Sequence, residues 1–155
     1  MKYISNSSDL SIFLNVEIKK NIPIKNISID TRKIKKDSLF IAIKGKKFNG
    51  NDFVKEAFSK GSSIALVDDK KFKLVTDNKI IYVANTIKAL KKISENIVKG
   101  YEGSVIAITG SNGKTSTTNI ISSVLNKTSK TLGNFNNEIG MPLSIMNASP
   151  KSENL

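Results

Sequence analysis

The 155-residue chain contains no cysteine and no histidine. The first absence excludes a disulfide framework and a thiolate nucleophile. The second excludes a Ser-His triad and a histidine-ligated zinc. No apolar run approaches the roughly 20 residues that span a bilayer. Met1 to Ser8 lacks the apolar stretch of a signal peptide, so a cytoplasmic location without membrane insertion is expected. Arginine is almost missing too: Arg32 stands alone among 25 basic residues. Surfaces that read bases or clamp phosphates favour the two-pronged guanidinium. With aromatics at 6%, the net charge of +12 is therefore read as solvated surface that attracts anions generally, not as a nucleic-acid footprint.

What remains is a soluble, globular composition, 39% hydrophobic and 25% charged, with length for one ordinary domain or two small ones. The charge is uneven. Residues 1–100 carry 21 basic and 10 acidic side chains, whereas residues 101–155 carry 4 and 3. Any anionic partner is met mainly by the first hundred residues.

Hydrophobic patterning predicts a helix over 8–14 capped by Ser7 or Ser8, and a strand at Ile27-Ser28-Ile29 running into Asp30-Thr31-Arg32. A buried strand at 39–43 ends at Lys44-Gly45-Lys46-Lys47, and a helix over 52–60 follows. Strands at 64–67 and 80–83 precede a helix from Ile87 to about Lys99, capped by Asn85 or Thr86. Val105 to Ile108 reads as a strand covered on both faces, of the kind found inside parallel sheets. A helix from about Thr115 to Asn126, a short strand at Thr131-Leu132 and a last helix opened by Met141-Pro142 complete the pattern. The fold class expected is α/β in two domains. A small unit spans residues 1–84, and residues 85–155 begin a doubly wound parallel-sheet domain. About five or six strands usually build such a sheet, so this second domain reads as truncated.

The most specific signal is Thr109-Gly110-Ser111-Asn112-Gly113-Lys114-Thr115-Ser116. A strand delivers the chain into a glycine turn that opens a helix, where successive N–H groups cradle an anion. Lys114 would reach the β and γ phosphates of a nucleotide triphosphate, and the Thr115 hydroxyl would coordinate Mg²⁺. The spacing is a shorter form of the common phosphate-loop pattern, whose first glycine falls here on Ile108.

Residues 109–115 closely resemble the phosphate loop of the Mur ligases, the ATP-dependent amino-acid ligases of peptidoglycan synthesis. Asp30-Thr31-Arg32 with the stretch 37–53 resembles the uridine-diphosphate-binding N-terminal domain of two members, those adding the third residue and the terminal dipeptide. Residues 133–143 look like the dipeptide-adding members in particular. The resemblance implies that ATP phosphorylates the terminal carboxylate of UDP-N-acetylmuramoyl-tripeptide. The amine of D-Ala-D-Ala then attacks the acyl phosphate, releasing ADP and phosphate. It further implies that Gly110, Ser111, Asn112, Gly113, Lys114, Thr115 and Ser116 bind ATP and Mg²⁺, with Lys114 catalytic. Thr31, Arg32, Lys44, Gly45, Lys46, Phe48 and Asn49 would line the uridine-nucleotide pocket, and Asn134, Asn136 and Asn137 would contact the muramoyl substrate. The implied protein is a monomer without nucleic-acid partners. Because no acidic residue on a following strand is present to complete the Mg²⁺ site, the 155 residues are expected to bind ligand weakly and not to catalyse.

The sequence also departs from the family. Asp-Thr-Arg replaces the usual Asp-Ser-Arg, Asn49 and Asn51 stand where members commonly carry Asp and His, and Thr118 stands where many dipeptide-adding members have Lys. Phe48 and Phe53 read as packing residues in preference to stacking platforms. The alternatives are a third-residue-adding Mur ligase, a non-catalytic uridine-nucleotide-binding module and, more remotely, a charge-driven nucleic-acid-binding domain.

Overall fold

The computed structural model describes residues 4–131 and 137–155. Helix α1 (Ser7–Leu14) opens the chain. Four strands follow, β1 (Asn26–Ser28), β2 (Ser38–Ile41), β3 (Ser62–Val67) and β4 (Ile80–Tyr82), with helix α2 (Val54–Ser59) between β2 and β3. They form one parallel sheet in the order β1-β2-β3-β4. Helices α3 (Thr86–Lys99), α4 (Lys114–Val124) and α5 (Gly140–Met146) come after it. Among the described residues no helix is long and apolar enough to cross a membrane.

The central strands are apolar on both faces because both faces are covered. Leu39, Ile41, Ile64 and Leu66 turn toward α1, α3 and α5, meeting Leu10, Phe13, Leu90, Ile93, Ile97 and Leu143. Phe40, Ala42, Ala65 and Val67 turn the other way, against Val54 and Ala57 of α2. In α3 the buried Leu90, Ile93 and Ile97 recur at helical spacing, and Asn85 caps it by accepting from the Lys88 N–H at 2.8 Å.

Several local expectations are corrected. Asn6, not Ser7 or Ser8, caps α1: its side chain accepts from Ser8 and Asp9 N–H while the Asp9 carboxylate accepts from the Asn6 N–H. Ser7 is buried instead, its hydroxyl donating to the Lys20 carbonyl at 2.7 Å. Residues 50–53 form a 3-10 turn ahead of α2. Phe48 and Phe53 lie outside the core, 71% and 36% exposed, and Phe58 and Phe72 pack in their place. Thr131 lies in no strand, and Leu132 is outside the described residues.

The largest difference concerns Val105 to Ile108, which form no strand. Val105 and Ile106 are 50% and 37% exposed. The segment has one short parallel companion: the Ser104 N–H donates to the Glu153 carbonyl, Leu155 N–H to the Ser104 carbonyl, and Ile106 N–H to the Leu155 carbonyl, all at 2.9–3.0 Å. Asn154 also bridges in parallel to Thr128. Residues 153–155 thus lie between 104–106 and 127–129. A buried strand needs ladders and covering layers, and here the ladder is three residues long and α4 buries none of its residues.

Candidate functional site

Ligands of open α/β sheets bind outside the carboxyl ends of the strands. In this sheet those ends carry Asp30-Thr31-Arg32 after β1, the loop 44–49 after β2, Asp68 and Asp69 after β3, and Asn85 after β4. The sequence-predicted residues Thr31, Arg32, Lys44, Gly45, Lys46, Phe48 and Asn49 therefore share one edge of the sheet.

Their side chains differ in how they are held. The Thr31 hydroxyl donates to Glu56 Oε1 on α2 at 2.9 Å, and Lys60 Nζ pairs with the same oxygen at 2.5 Å. These two contacts, Lys60 the larger, hold the Glu56 carboxyl below its usual range. Arg32 is folded onto Asp30, Nε and Nη2 reaching the carboxylate at 2.9 and 2.7 Å. That hydrogen bond lowers the Asp30 carboxyl to about 2. Asp30 also accepts from the Arg32 N–H, which starts the 3-10 turn of residues 31–33.

The loop after β2 is a tight reversal. The Gly45 N–H donates to the Phe48 carbonyl at 2.9 Å, and Gly50 N–H donates to the Ile43 carbonyl at 2.9 Å. At Gly50 a Cβ would lie 2.6–2.9 Å from the backbone of Ile43 and Ala42, so the loop closes where only glycine fits. Lys44, Lys46 and Lys47 project from it, exposed, and no carboxylate forms an ion pair with them among the described residues. The result is a concentration of unpaired positive charge beside an exposed aromatic ring, suited to an anionic ligand with an apolar face.

Sequence reasoning missed three participants and read a fourth, Asn51, only as a departure from the family. Glu56 holds Thr31, as described. Asn51, Asp68 and Thr86 form a polar network beneath the loop: Asn51 Nδ2 donates to Asn49 Oδ1 and Asp68 Oδ1, both at 2.9 Å, and Asp68 Oδ2 accepts from the Thr86 N–H and hydroxyl. The available signal was positional, since Asp68 directly follows a buried apolar strand and Thr86 begins a capped helix.

Residues 109–116 have the turn their glycines predict. Gly113 is left-handed (φ 81°) and leads straight into α4, and Gly110 also has positive φ. Lys114 Nζ donates back to the carbonyls of Gly110 and Ser111, and no carboxylate pairs with it among the described residues. Ser111, Asn112, Thr115 and Ser116 are exposed around the turn. An open turn with an ammonium held only by loop carbonyls fits a polyphosphate, and the exposed Thr115 hydroxyl fits as one oxygen ligand of Mg²⁺. No group of three or more histidine, cysteine, aspartate or glutamate side chains that could hold a metal ion exists among the described residues.

Asn137 lies at the start of α5, where its Oδ1 accepts from the N–H groups of Ile139 and Gly140 at 3.1 and 2.7 Å. Its carbonyl is thus engaged in capping. Asn134 and Asn136 are outside the described residues.

Residues 23–99 match the catalytic domain of the Mur ligase family and residues 108–155 match the Mur ligase middle domain. The UDP-N-acetylmuramoyl-tripeptide–D-alanyl-D-alanine ligase of Bacillus subtilis is 38% identical over 126 residues, 79% of this chain and 28% of that protein. The enzyme of the same name from Rickettsia prowazekii is 33% identical over 97% of this chain and 34% of its own length. The MurF ligase of Thermotoga maritima, solved in complex with ADP, superposes with a TM-score of 0.72 at 32% identity, covering 84% of this chain and 31% of that one. The corresponding Acinetobacter baumannii ligase gives 0.78 at 25% identity, covering 98% and 35%. The chain thus spans about a third of the length of the relatives it matches. With sequence and fold in agreement across both segments, the chain belongs to the Mur ligase family.

Proposed function

We propose that this chain supplies the uridine-nucleotide-binding unit and the phosphate loop of an ATP-dependent, ADP-forming ligase that joins D-Ala-D-Ala to UDP-N-acetylmuramoyl-tripeptide in cytoplasmic peptidoglycan synthesis. The observation that carries it is the loop 109–115, which turns at Gly113 into α4 and leaves Lys114 without an acidic partner among the described residues. The names of the relatives and the ADP bound to the Thermotoga maritima ligase support the same reading.

In this reading residues 1–84 receive the nucleotide sugar and residues 85–155 begin the ATP-binding domain of a monomeric enzyme. Thr31, Arg32, Lys44, Gly45, Lys46, Phe48 and Asn49 line the uridine-nucleotide pocket. Lysines 44 and 46 face the diphosphate, where cations without partners lose least on binding. Asn134, Asn136 and Asn137 contact the muramoyl peptide, for which amides suit as donors and acceptors, Asn137 through its Nδ2 because its Oδ1 is engaged at the start of α5. Gly110, Ser111, Asn112, Gly113, Lys114, Thr115 and Ser116 cradle ATP through the backbone donors of the turn and the start of α4. Lys114 neutralises charge on the transferring phosphoryl group, and Thr115 would hold Mg²⁺, which adds further charge neutralisation there. Phosphoryl transfer to a carboxylate relies on positioning and cations, so a chain without histidine or cysteine is no obstacle.

Calorimetric titration of the 155-residue chain tests this directly. Wild type should bind Mg²⁺-ADP and UDP as independent ligands. Lys114→Ala should abolish ADP binding and spare UDP, whereas Lys44→Ala with Lys46→Ala should do the reverse. ADP binding that survives Lys114→Ala would remove the phosphate-loop assignment.

A further inference from the structure

Asn51 is 3% exposed, and every hydrogen-bonding valence of its amide is occupied. Nδ2 donates to Asn49 Oδ1 and to Asp68 Oδ1, and Oδ1 accepts from the N–H groups of Asp68 and Asp69 at 3.2 and 3.3 Å. Asp68 passes the connection on: its Oδ2 accepts from the Thr86 N–H at 3.1 Å and the Thr86 hydroxyl at 3.0 Å. Thr86 is fully buried, and its hydroxyl also lies 2.9 Å from the Ala42 carbonyl, at the root of the loop after β2. The circuit runs from the loop, through the end of β3 and the first residue of α3, back to the loop's stem.

Four features make this more than ordinary core satisfaction. It joins three separate carboxyl-end segments, none of which is adjacent in sequence. It touches, through Asn49 and Ala42, the loop that carries Lys44, Lys46 and Lys47, none of which forms an ion pair among the described residues. The loop above has no apolar anchor of its own, because Phe48 is exposed. Finally, the close Gly50–Ile43 contact lies at the loop's stem, and Asn51, bonded to Asn49 and Asp68, is the side chain that ties the loop to the end of β3.

We propose that Asn51, Asp68 and Thr86 are positioning residues that hold the 44–49 loop in its ligand-binding shape before nucleotide arrives. A preformed loop loses less conformational freedom on binding, so the network acts on uridine-nucleotide affinity through Lys44, Lys46 and Asn49 without touching the ligand. The inference rests on reading this edge as the uridine-nucleotide pocket.

The test uses the 155-residue chain without ligand and then with UDP. Amide hydrogen exchange reads the loop through Gly45 and Gly50, whose N–H groups close it, and reads the sheet through Ala65, whose N–H donates to the Lys79 carbonyl. Asn51→Ala should accelerate exchange at Gly45 and Gly50 by about tenfold or more and leave Ala65 unchanged, with a comparable loss of UDP affinity and none of ADP affinity. Unchanged loop exchange, or acceleration shared equally by Ala65, overturns the proposal. So does a loosened loop that binds UDP as tightly as before. Should Asn51→Ala fail to fold, Thr86→Val and Thr86→Ser decide: Ser keeps the hydroxyl and should retain loop protection, Val should lose it, and equal behaviour overturns the proposal. A wild-type chain that ignores UDP would refute the pocket reading, and the exchange contrast would still report whether the network holds the loop.

Discussion

The side-chain amide of Asn147 pairs with both backbone groups of Ile27, 120 residues away in sequence. Its Oδ1 accepts from the Ile27 N–H at 3.0 Å, and its Nδ2 donates to the Ile27 carbonyl at 3.1 Å. One amide thus stands in for a neighbouring strand at the open edge of β1, which otherwise presents unpaired backbone groups. The same Nδ2 reaches the Leu143 carbonyl at 3.0 Å, so the contact fastens α5 to the sheet. Removing it leaves the backbone of a buried residue unpaired. Asn147→Ala should therefore cost about 1–3 kcal/mol in urea denaturation. Asn147→Asp, which keeps an acceptor but loses the donor, should not restore it. A variant as stable as wild type would show that water replaces the amide.

Two glycines should respond differently to alanine. At Gly113 a Cβ meets nothing within 4 Å, and the only penalty is the left-handed backbone, about 1 kcal/mol. At Gly50 a Cβ would overlap backbone atoms of Ile43 and Ala42. Gly50→Ala should thus cost more than Gly113→Ala, about 1–3 kcal/mol, and should also lower UDP affinity. Gly113→Asn, a residue that tolerates left-handed angles, should fold nearly as wild type. Thermal denaturation of the three variants side by side checks the order.

Phe48 and Phe40 make a second contrast. Phe40 is buried between β2 and the α2 side of the core, and Phe40→Ala should cost about 3–5 kcal/mol. Phe48 is 71% exposed, and Phe48→Ala should change stability by under about 0.5 kcal/mol. If the ring stacks on the base of the nucleotide, UDP affinity should fall about tenfold. Equal affinity in calorimetry would remove Phe48 from the pocket.

The Asp30–Arg32 contact predicts a pH dependence. The Asp30 carboxyl, at about 2 in the folded chain, is lower than its usual 3.8. Its contribution to stability is therefore present above about pH 4 and disappears as pH falls toward 2. Urea midpoints between pH 2 and 5 should decline, with a shallower decline in Asp30→Asn. At neutral pH the substitution should cost under about 1 kcal/mol, because the pair is on the surface. Identical slopes for the two proteins would mean that other carboxylates account for the acid sensitivity.

Much of this was readable from local pattern. The four strands, the long amphipathic α3 and the glycine turn into α4 follow from apolar periodicity, capping residues and the order glycine, lysine, helix, all of which act within a few residues. The end of β2 ahead of the run from Lys44 to Lys47 was legible for the same reason. Tertiary structure decided what depends on distant partners. Val105 to Ile108 has the composition of a buried strand, yet a strand is stable only with ladders on its sides and layers on its faces, and the described chain gives it one three-residue companion. Phe48 has the composition of a core residue and lies outside the core, at the tip of the reversal that the Gly45 N–H closes on the Phe48 carbonyl. The links of Asn51 to Asp68 and Thr86, of Thr31 to Glu56 and of Asn147 to Ile27 were invisible in sequence. A side-chain amide or carboxylate takes its partner from whatever backbone or hydroxyl the fold brings within 3 Å, and no local pattern encodes that choice.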